Sequence, residues 1–152
     1  MTATTAEQIR EQLALPRIDQ IGFVVPDIER AMASYEALFG PWTTMDAEVE
    51  GADFRGEIHD ASLLLAFGKS GDLEIELIQI TGGKSPHGEF IERGGNGMHH
   101  VRYRTADIDN KIALAKAIGY QPIWYKRMSP DIAFCYLEKV GDPLIVELLQ
   151  MP

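Results

Sequence analysis

Two stretches decide the reading: IDQIGFVVPDIERAMASYEALFG (18–40) and MHHVRYRTADIDNKIALAKAIGY (98–120). Laid over one another without a gap, each opens with a short β-rich run and then passes an Asp-Ile pair, Asp27-Ile28 or Asp107-Ile108. Each continues with helical spacing to a glycine, Gly40 or Gly119. An aspartate before the first apolar turn supplies an N-cap and a glycine stops a helix, so both stretches predict a strand followed by a helix. Ile28, Met32, Tyr35 and Phe39 share one face of the first helix, and Ile108, Ile112, Ala115 and Ile118 share one face of the second.

The match extends to the far end of each half. GDLEIELIQI (71–80) parallels GDPLIVELLQM (141–151): a Gly-Asp turn, then a strand carrying Glu-Leu-X-Gln. Between helix and last strand each half has room for two more strands, at about 43–49 and 58–67 in the first and about 121–126 and 131–138 in the second. The joining segment TGGKSPHGEFIERGGNG (81–97) predicts a short helix, with Ser85 as N-cap, Pro86 as first residue, and Gly94 and Gly95 closing it. The expected fold is α+β. Two tandem βαβββ modules, about 17–80 and about 98–151 with the linker 81–97, form one domain over residues 1–152. Neither module buries a sheet face alone; side by side they curl into a curved mixed sheet, a trough with helices outside.

Superposing the halves places Gln20 over His100 and Glu76 over Glu147. A carboxylate inside an apolar strand is costly unless it meets a cation or donors, and two facing one another repel. A divalent ion between them answers both problems. Gln20, Glu76, His100 and Glu147 then form an N/O donor set suited to Zn, Ni, Co, Mn or Fe, one ion per protomer. His99 and His100 are adjacent in a strand, so alternation predicts that only one faces the trough. Arg102, two residues beyond His100, shares its face and is a candidate either to hold an anionic substrate group or to form a structural ion pair.

Composition sets the remaining bounds. The chain has 152 residues, 45% hydrophobic and 24% charged, which suits a globular domain. A net charge of −9 with no Lys/Arg block argues against nucleic acid as a partner, and no apolar run is long enough to cross a membrane. The start MTATTAEQIREQL lacks the pattern of an export signal and predicts a polar, partly helical surface extension. The one cysteine, Cys135, sits in the apolar run IAFCYLE and is expected as a buried small hydrophobe. These features point to the cytoplasm.

On the motifs IDQIGFVVPDIERAMASYEALFG, SPHGEFIERGGNGMHHVRY and LIVELLQ, the chain resembles the vicinal oxygen chelate superfamily over about residues 17–151. This superfamily includes glyoxalase I, methylmalonyl-CoA epimerase, extradiol dioxygenases and bleomycin-resistance proteins. The likeness is strongest to the epimerase branch, with Gly-Met-His-His before a strand its most specific element. The resemblance implies paired βαβββ modules, a metal cleft open to solvent, a homodimer, and a small carbonyl or thioester substrate. It also implies an isomerase (epimerase) or lyase that removes a proton beside a carbonyl. Glu147 matches a ligand that serves as one base, with Glu76 its counterpart. A second base of the epimerases lies on the strand before that of Glu76, and a gap-free count lands on His59. Two departures keep alternatives open. Epimerases of this branch carry histidine where this chain has Gln20, and Gln/Glu/His/Glu is the set of zinc glyoxalase I, a lactoylglutathione lyase. That enzyme's glutathione-binding arginine falls at Val24. An extradiol dioxygenase needs a second histidine ligand. A non-catalytic binding protein would use the same trough, lined by Trp42, Phe54, Phe67, Trp124 and Phe134.

Overall fold

The computed structural model describes residues 5–152. In chain order the elements are α1 (Ala6–Leu13), β1 (Gln20–Val24), α2 (Ile28–Phe39), β2 (Thr43–Phe54), β3 (Glu57–Ser70), β4 (Leu73–Gly83), α3 (Pro86–Glu92), β5 (Gly97–Thr105), α4 (Ile108–Lys116), β6 (Tyr120–Ser129), β7 (Ile132–Lys139) and β8 (Ile145–Gln150). The fold is thus α+β, with eight strands and four helices among the described residues.

The helix starts form as their residues dictate. Asp27 accepts from the Arg30 N–H and Asp107 from the Asn110 N–H, each cap supplying about 1 kcal/mol. The repeated glutamines have a structural use as well. Gln79 Oε1 accepts from the Ile28 N–H and Gln150 Oε1 from the Ile108 N–H, both at 2.9 Å. Each helix is therefore tied at its first turn to the last strand of its own half. α2 packs through Ile28 against Val25, Ala66 and Leu77, and α4 packs through Ile108 and Ile112 against Ala133, Cys135 and Leu148. Cys135 is fully buried, and burial pushes its thiol up to about 12. The N-terminal segment is helical and mostly exposed, as expected, with Thr5 capping α1; the one buried residue of that helix, Ile9, departs from a purely surface extension. Residues 1–4 of that segment lie outside the described residues.

The strands are ordered β1-β4-β3-β2-β6-β7-β8-β5, and β5 returns to β1. β1 runs parallel to β4 and β5 parallel to β8, whereas β1 and β5 are antiparallel. The sheet is curved and mixed, as expected from the sequence, but it goes further than a trough and closes into a barrel. Closure between β2 and β6 rests on a short ladder, Asp53↔Tyr125 and Phe54↔Trp124. Arg55, just beyond it, forks onto two carboxylates. Its Nε donates to Glu89 at 2.8 Å and its Nη1 to Glu138 at 2.7 Å, tying the β2–β3 turn to α3 and β7. Inside the barrel pack Val24, Leu63, Leu65, Ile78, Trp124, Phe134, Tyr136 and Ile145, with Phe54 and Phe67 at the margin. Trp42 is not among them; its indole N–H bonds the Met32 carbonyl and its ring packs under α2. Among the described residues no helix is long and apolar enough to cross a membrane.

Candidate metal centre

Because β4, β1, β5 and β8 are consecutive in the barrel, Glu76, Gln20, His100 and Glu147 arise from four neighbouring strands. All four are buried: His100 is 0% exposed, Gln20 1%, Glu147 8% and Glu76 9%. His100 Nε2 lies 3.4 Å from Glu147 Oε1 and 3.6 Å from Glu76 Oε1. Ligands held about 2.1 Å from a tetrahedral ion stand about 3.4 Å apart, so these spacings suit an ion between them.

Two atoms of the cluster have no hydrogen-bond partner, His100 Nε2 and Gln20 Oε1. Buried polar atoms left this way are rare and costly, and both belong to the predicted donor set. The Gln20 amide is oriented by Glu74, whose Oε1 accepts from Gln20 Nε2 at 2.6 Å. A carboxylate can only accept, so the amide nitrogen faces Glu74 and the oxygen is left for a cation. Among the described residues no three His, Cys, Asp or Glu side chains are arranged so that they could hold a metal ion by themselves. The fit rests on the donor set with Gln20 included.

Burial is the main force on the Glu147 carboxyl, raising its pKa to about 7. Glu76 adds repulsion, while His100 and Arg102 oppose the rise. In the metal-free protein the Glu147 carboxyl thus changes charge near neutral pH.

Sequence alternation placed one histidine inward, and the structure corrects this. Gly22 pairs with His100 and Phe23 with Met98, so His99 is the extra residue of a β-bulge in β5. The bulge brings the His99 Nδ1 to 3.0 Å from the His100 Nδ1, and His99 is also buried. Burial, the charge of His100 and that of Arg93 lower the His99 pKa to about 3, so the ring is neutral. When the His100 Nδ1–H donates a hydrogen bond to the His99 Nδ1, the His100 Nε2 presents the lone pair that a metal ligand needs.

Gly22 is a second feature that the sequence reading missed. A Cβ built there would lie 2.1 Å from His100 Cε1 and 2.2 Å from Nε2, so the ring occupies the space a side chain would take. A lone glycine in a strand, flagging close approach of a neighbour, was the available signal. Gly22→Ala is expected to displace the imidazole and weaken binding of a divalent ion by at least about 10-fold, the low end for a mispositioned ligand. Titration with Zn²⁺ against a competing chelator checks this; wild-type affinity would show that the ring is not held there. The Glu74 contact also had a signal, because Glu74 and Glu76 share a face of β4.

One expected site residue, His59, falls elsewhere, and another, Arg102, borders the centre but is already engaged. The β3–β4 hairpin pairs Ser70 with Leu73, so Phe67 stands opposite Glu76. His59 lies eight positions further along β3, about 26 Å at a strand's rise. There it pairs with Ala52 and its Nε2 sits 3.1 Å from Glu57. The gap-free count failed because the hairpin is tight and both strands are long. Arg102 forms the structural ion pair: Nε and Nη2 both donate to Asp19, at 2.9 and 3.1 Å, and Nη2 is 3.7 Å from Glu74. Burial works against ionising Asp19, but Arg102 and Arg104 outweigh it and hold the carboxyl below its usual range. The Arg102 fork is thus already occupied by carboxylates.

Eight strands wrapped about paired carboxylates, a histidine and an amide define the class of fold. Residues 19–136 match the model of the Glyoxalase/Bleomycin resistance protein/Dioxygenase superfamily, and the chain belongs to it. It is similar to the ethylmalonyl-CoA/methylmalonyl-CoA epimerase of Cereibacter sphaeroides, 32% identical over 60% of this chain and 63% of that protein. It is also similar to the uncharacterized protein YqjC of Bacillus subtilis, 30% identical over 57% of this chain and 56% of that one. The matches therefore span about three-fifths of each curated relative. Among solved structures, the methylmalonyl-CoA epimerase of Mycobacterium tuberculosis shares the fold with a TM-score of 0.62 and 16% identity, covering 91% of this chain and 89% of that one.

Proposed function

We propose that this chain is a metal-dependent enzyme that removes and returns a proton α to a carbonyl, an epimerase of a small acyl-CoA thioester. One observation carries the reading: two buried, unpartnered donor atoms, His100 Nε2 and Gln20 Oε1, accompany two buried carboxylates. The likeness to an epimerase of Cereibacter sphaeroides supports the choice of substrate class. The reading treats 1–152 as one domain whose halves, 17–80 and 98–151, each give two donors. It includes a homodimer and a cytoplasmic location.

A divalent ion held by Gln20, Glu76, His100 and Glu147 supplies positive charge where the carbonyl oxygen gains negative charge. Glu147 accepts the α-proton on a carboxylate oxygen as the C–H electron pair moves into the enolate. Glu76, which enters the step carrying a proton, delivers it to the opposite face and inverts the carbon; the two carboxyls then exchange protons with solvent before the next turnover. Burial serves both steps by keeping water from the proton in transit. Asp19, Arg102 and Glu74 hold Gln20 in place.

The test is incubation of metal-loaded protein with methylmalonyl-CoA in deuterated water, followed by NMR of the α-carbon. Deuterium wash-in is expected, with about one divalent ion per protomer by elemental analysis. Turnover of a hemithioacetal without thioester exchange would instead establish a glyoxalase I-like lyase, the reading favoured by glutamine at position 20. Tight ligand binding that survives a chelator, without turnover, would establish a binding protein.

A further inference from the structure

The joining helix α3 reaches into the barrel. Ser85 stands at its N-cap position yet makes no capping bond from its side chain. Its Oγ instead lies 2.8 Å from His87 Nδ1, and His87 Nε2 lies 3.0 Å from the Tyr136 hydroxyl. Ser85 is 1% exposed, His87 0% and Tyr136 4%. Three buried polar groups in an aromatic wall need a reason, since apolar residues would fill it at lower cost. The chain ends beside the candidate centre. Tyr136 is the ladder partner of Glu147, and its ring centroid is 4.9 Å from that of His100.

Hydrogen-bond accounting leaves two directions. His87 is neutral because burial, aided by His99 and His100, holds its pKa well below the usual value, so one ring nitrogen donates and the other accepts. If Ser85 donates to Nδ1, then Nε2–H donates to the Tyr136 oxygen and the phenol proton remains free. In the reverse direction the free proton is left on Ser85. Burial, with Glu147 and Glu76, pushes the Tyr136 phenol well above its usual range, so the proton stays on Tyr136. The first direction leaves that proton free to donate beside Glu147, the ladder partner of Tyr136.

We infer that Ser85 and His87 form a positioning relay that makes Tyr136 a hydrogen-bond donor into the His100 centre, where its O–H holds the carbonyl oxygen of the substrate. The assignment rests on the enolate reading above. In that setting a fixed neutral donor strengthens its bond as the oxygen gains charge and takes no proton from either glutamate. Tyr136 is a catalytic residue in this scheme; His87 and Ser85 act through it.

¹⁵N NMR of the histidine-labelled protein tests the relay without any substrate. The expected result is the Nε2–H tautomer of His87, and the Nδ1–H tautomer would overturn the assignment. Tyr136→Phe keeps the ring and removes the donor. Deuterium wash-in to methylmalonyl-CoA is expected to fall about 100-fold in kcat, with Zn²⁺ affinity within about twofold of wild type. An unchanged kcat overturns the donor role. His87→Gln is expected to retain part of the rate, and His87→Leu to lose as much as Tyr136→Phe; equal rates in the two His87 variants overturn the relay. Absence of wash-in by the wild-type protein would refute the enolate reading, whereas the tautomer measurement reports on the relay alone.

Discussion

Replacing His100 with alanine is expected to weaken binding of a divalent ion by more than about 100-fold. His100 is the only nitrogen among the four donors, and its Nε2 approaches both carboxylates. If a zinc site of roughly 12 kcal/mol is shared by four donors, losing one costs about 3 kcal/mol, more than 100-fold in affinity. The loss of the ring also frees Glu76 and Glu147 from their common neighbour, so their mutual repulsion adds to it. Isothermal titration with Zn²⁺ and Ni²⁺ is the measurement, with circular dichroism to establish that the barrel persists. Unchanged stoichiometry and affinity in a folded variant would remove the centre from the protein.

The second large effect is expected at Glu147. Glutamine keeps the shape and the oxygen but cannot take up a proton, so wash-in should fall by about 10²–10⁴-fold. The pH dependence has a definite sign. In the metal-free protein the Glu147 pKa is about 7, raised by burial, so the carboxylate form grows as pH rises through that value. A metal competes with that proton, so affinity should rise about tenfold per pH unit below pH 7 and level off above it. This segment of the profile should flatten in Glu147→Gln. Stability runs the other way. A folded pKa above the unfolded one stabilises at low pH, and that contribution is lost as pH rises from about 4.5 to about 7. Glu147 ionisation thus costs the metal-free protein about 3 kcal/mol above that range. A thermal midpoint for Glu147→Gln that tracks wild type across this range would mean that Glu147 is not buried as described.

The candidate positions were legible because repetition makes a weak signal strong. Gln20 and Glu76 are ordinary residues read singly; superposed on His100 and Glu147 they become a pattern. The structure sets Glu76 and Glu147 within 3.6 Å of His100, with Gln20 buried on the strand between those of Glu76 and His100. The helix caps at Asp27 and Asp107 were legible for a local reason, since a cap depends on four consecutive residues. What escaped depends on register. The β-bulge at His99 follows from the pairing of β5 with β1, and nothing in Gly-Met-His-His announces it. His59 was misplaced because a count along the chain ignores the fold-back at Ser70 and Leu73. Arg102 carried two readings until its geometry with Asp19 was known. The closed seam between β2 and β6 pairs residues in different halves of the chain, and long-range pairings leave no mark on local periodicity.

The bulge also determines which errors β5 can tolerate. In a regular strand, neighbouring side chains belong to opposite faces, and two adjacent rings cannot serve one site. The extra residue at His99 breaks that parity at a single point. Substitutions on either side of it leave the phase intact. Loss of one residue between Gly97 and His100 restores strict alternation, and one of the two imidazoles then turns outward or the strand slips in its entirety. The spacing of this segment is therefore under tighter control than its composition, and a length change of one residue there does more damage than most replacements.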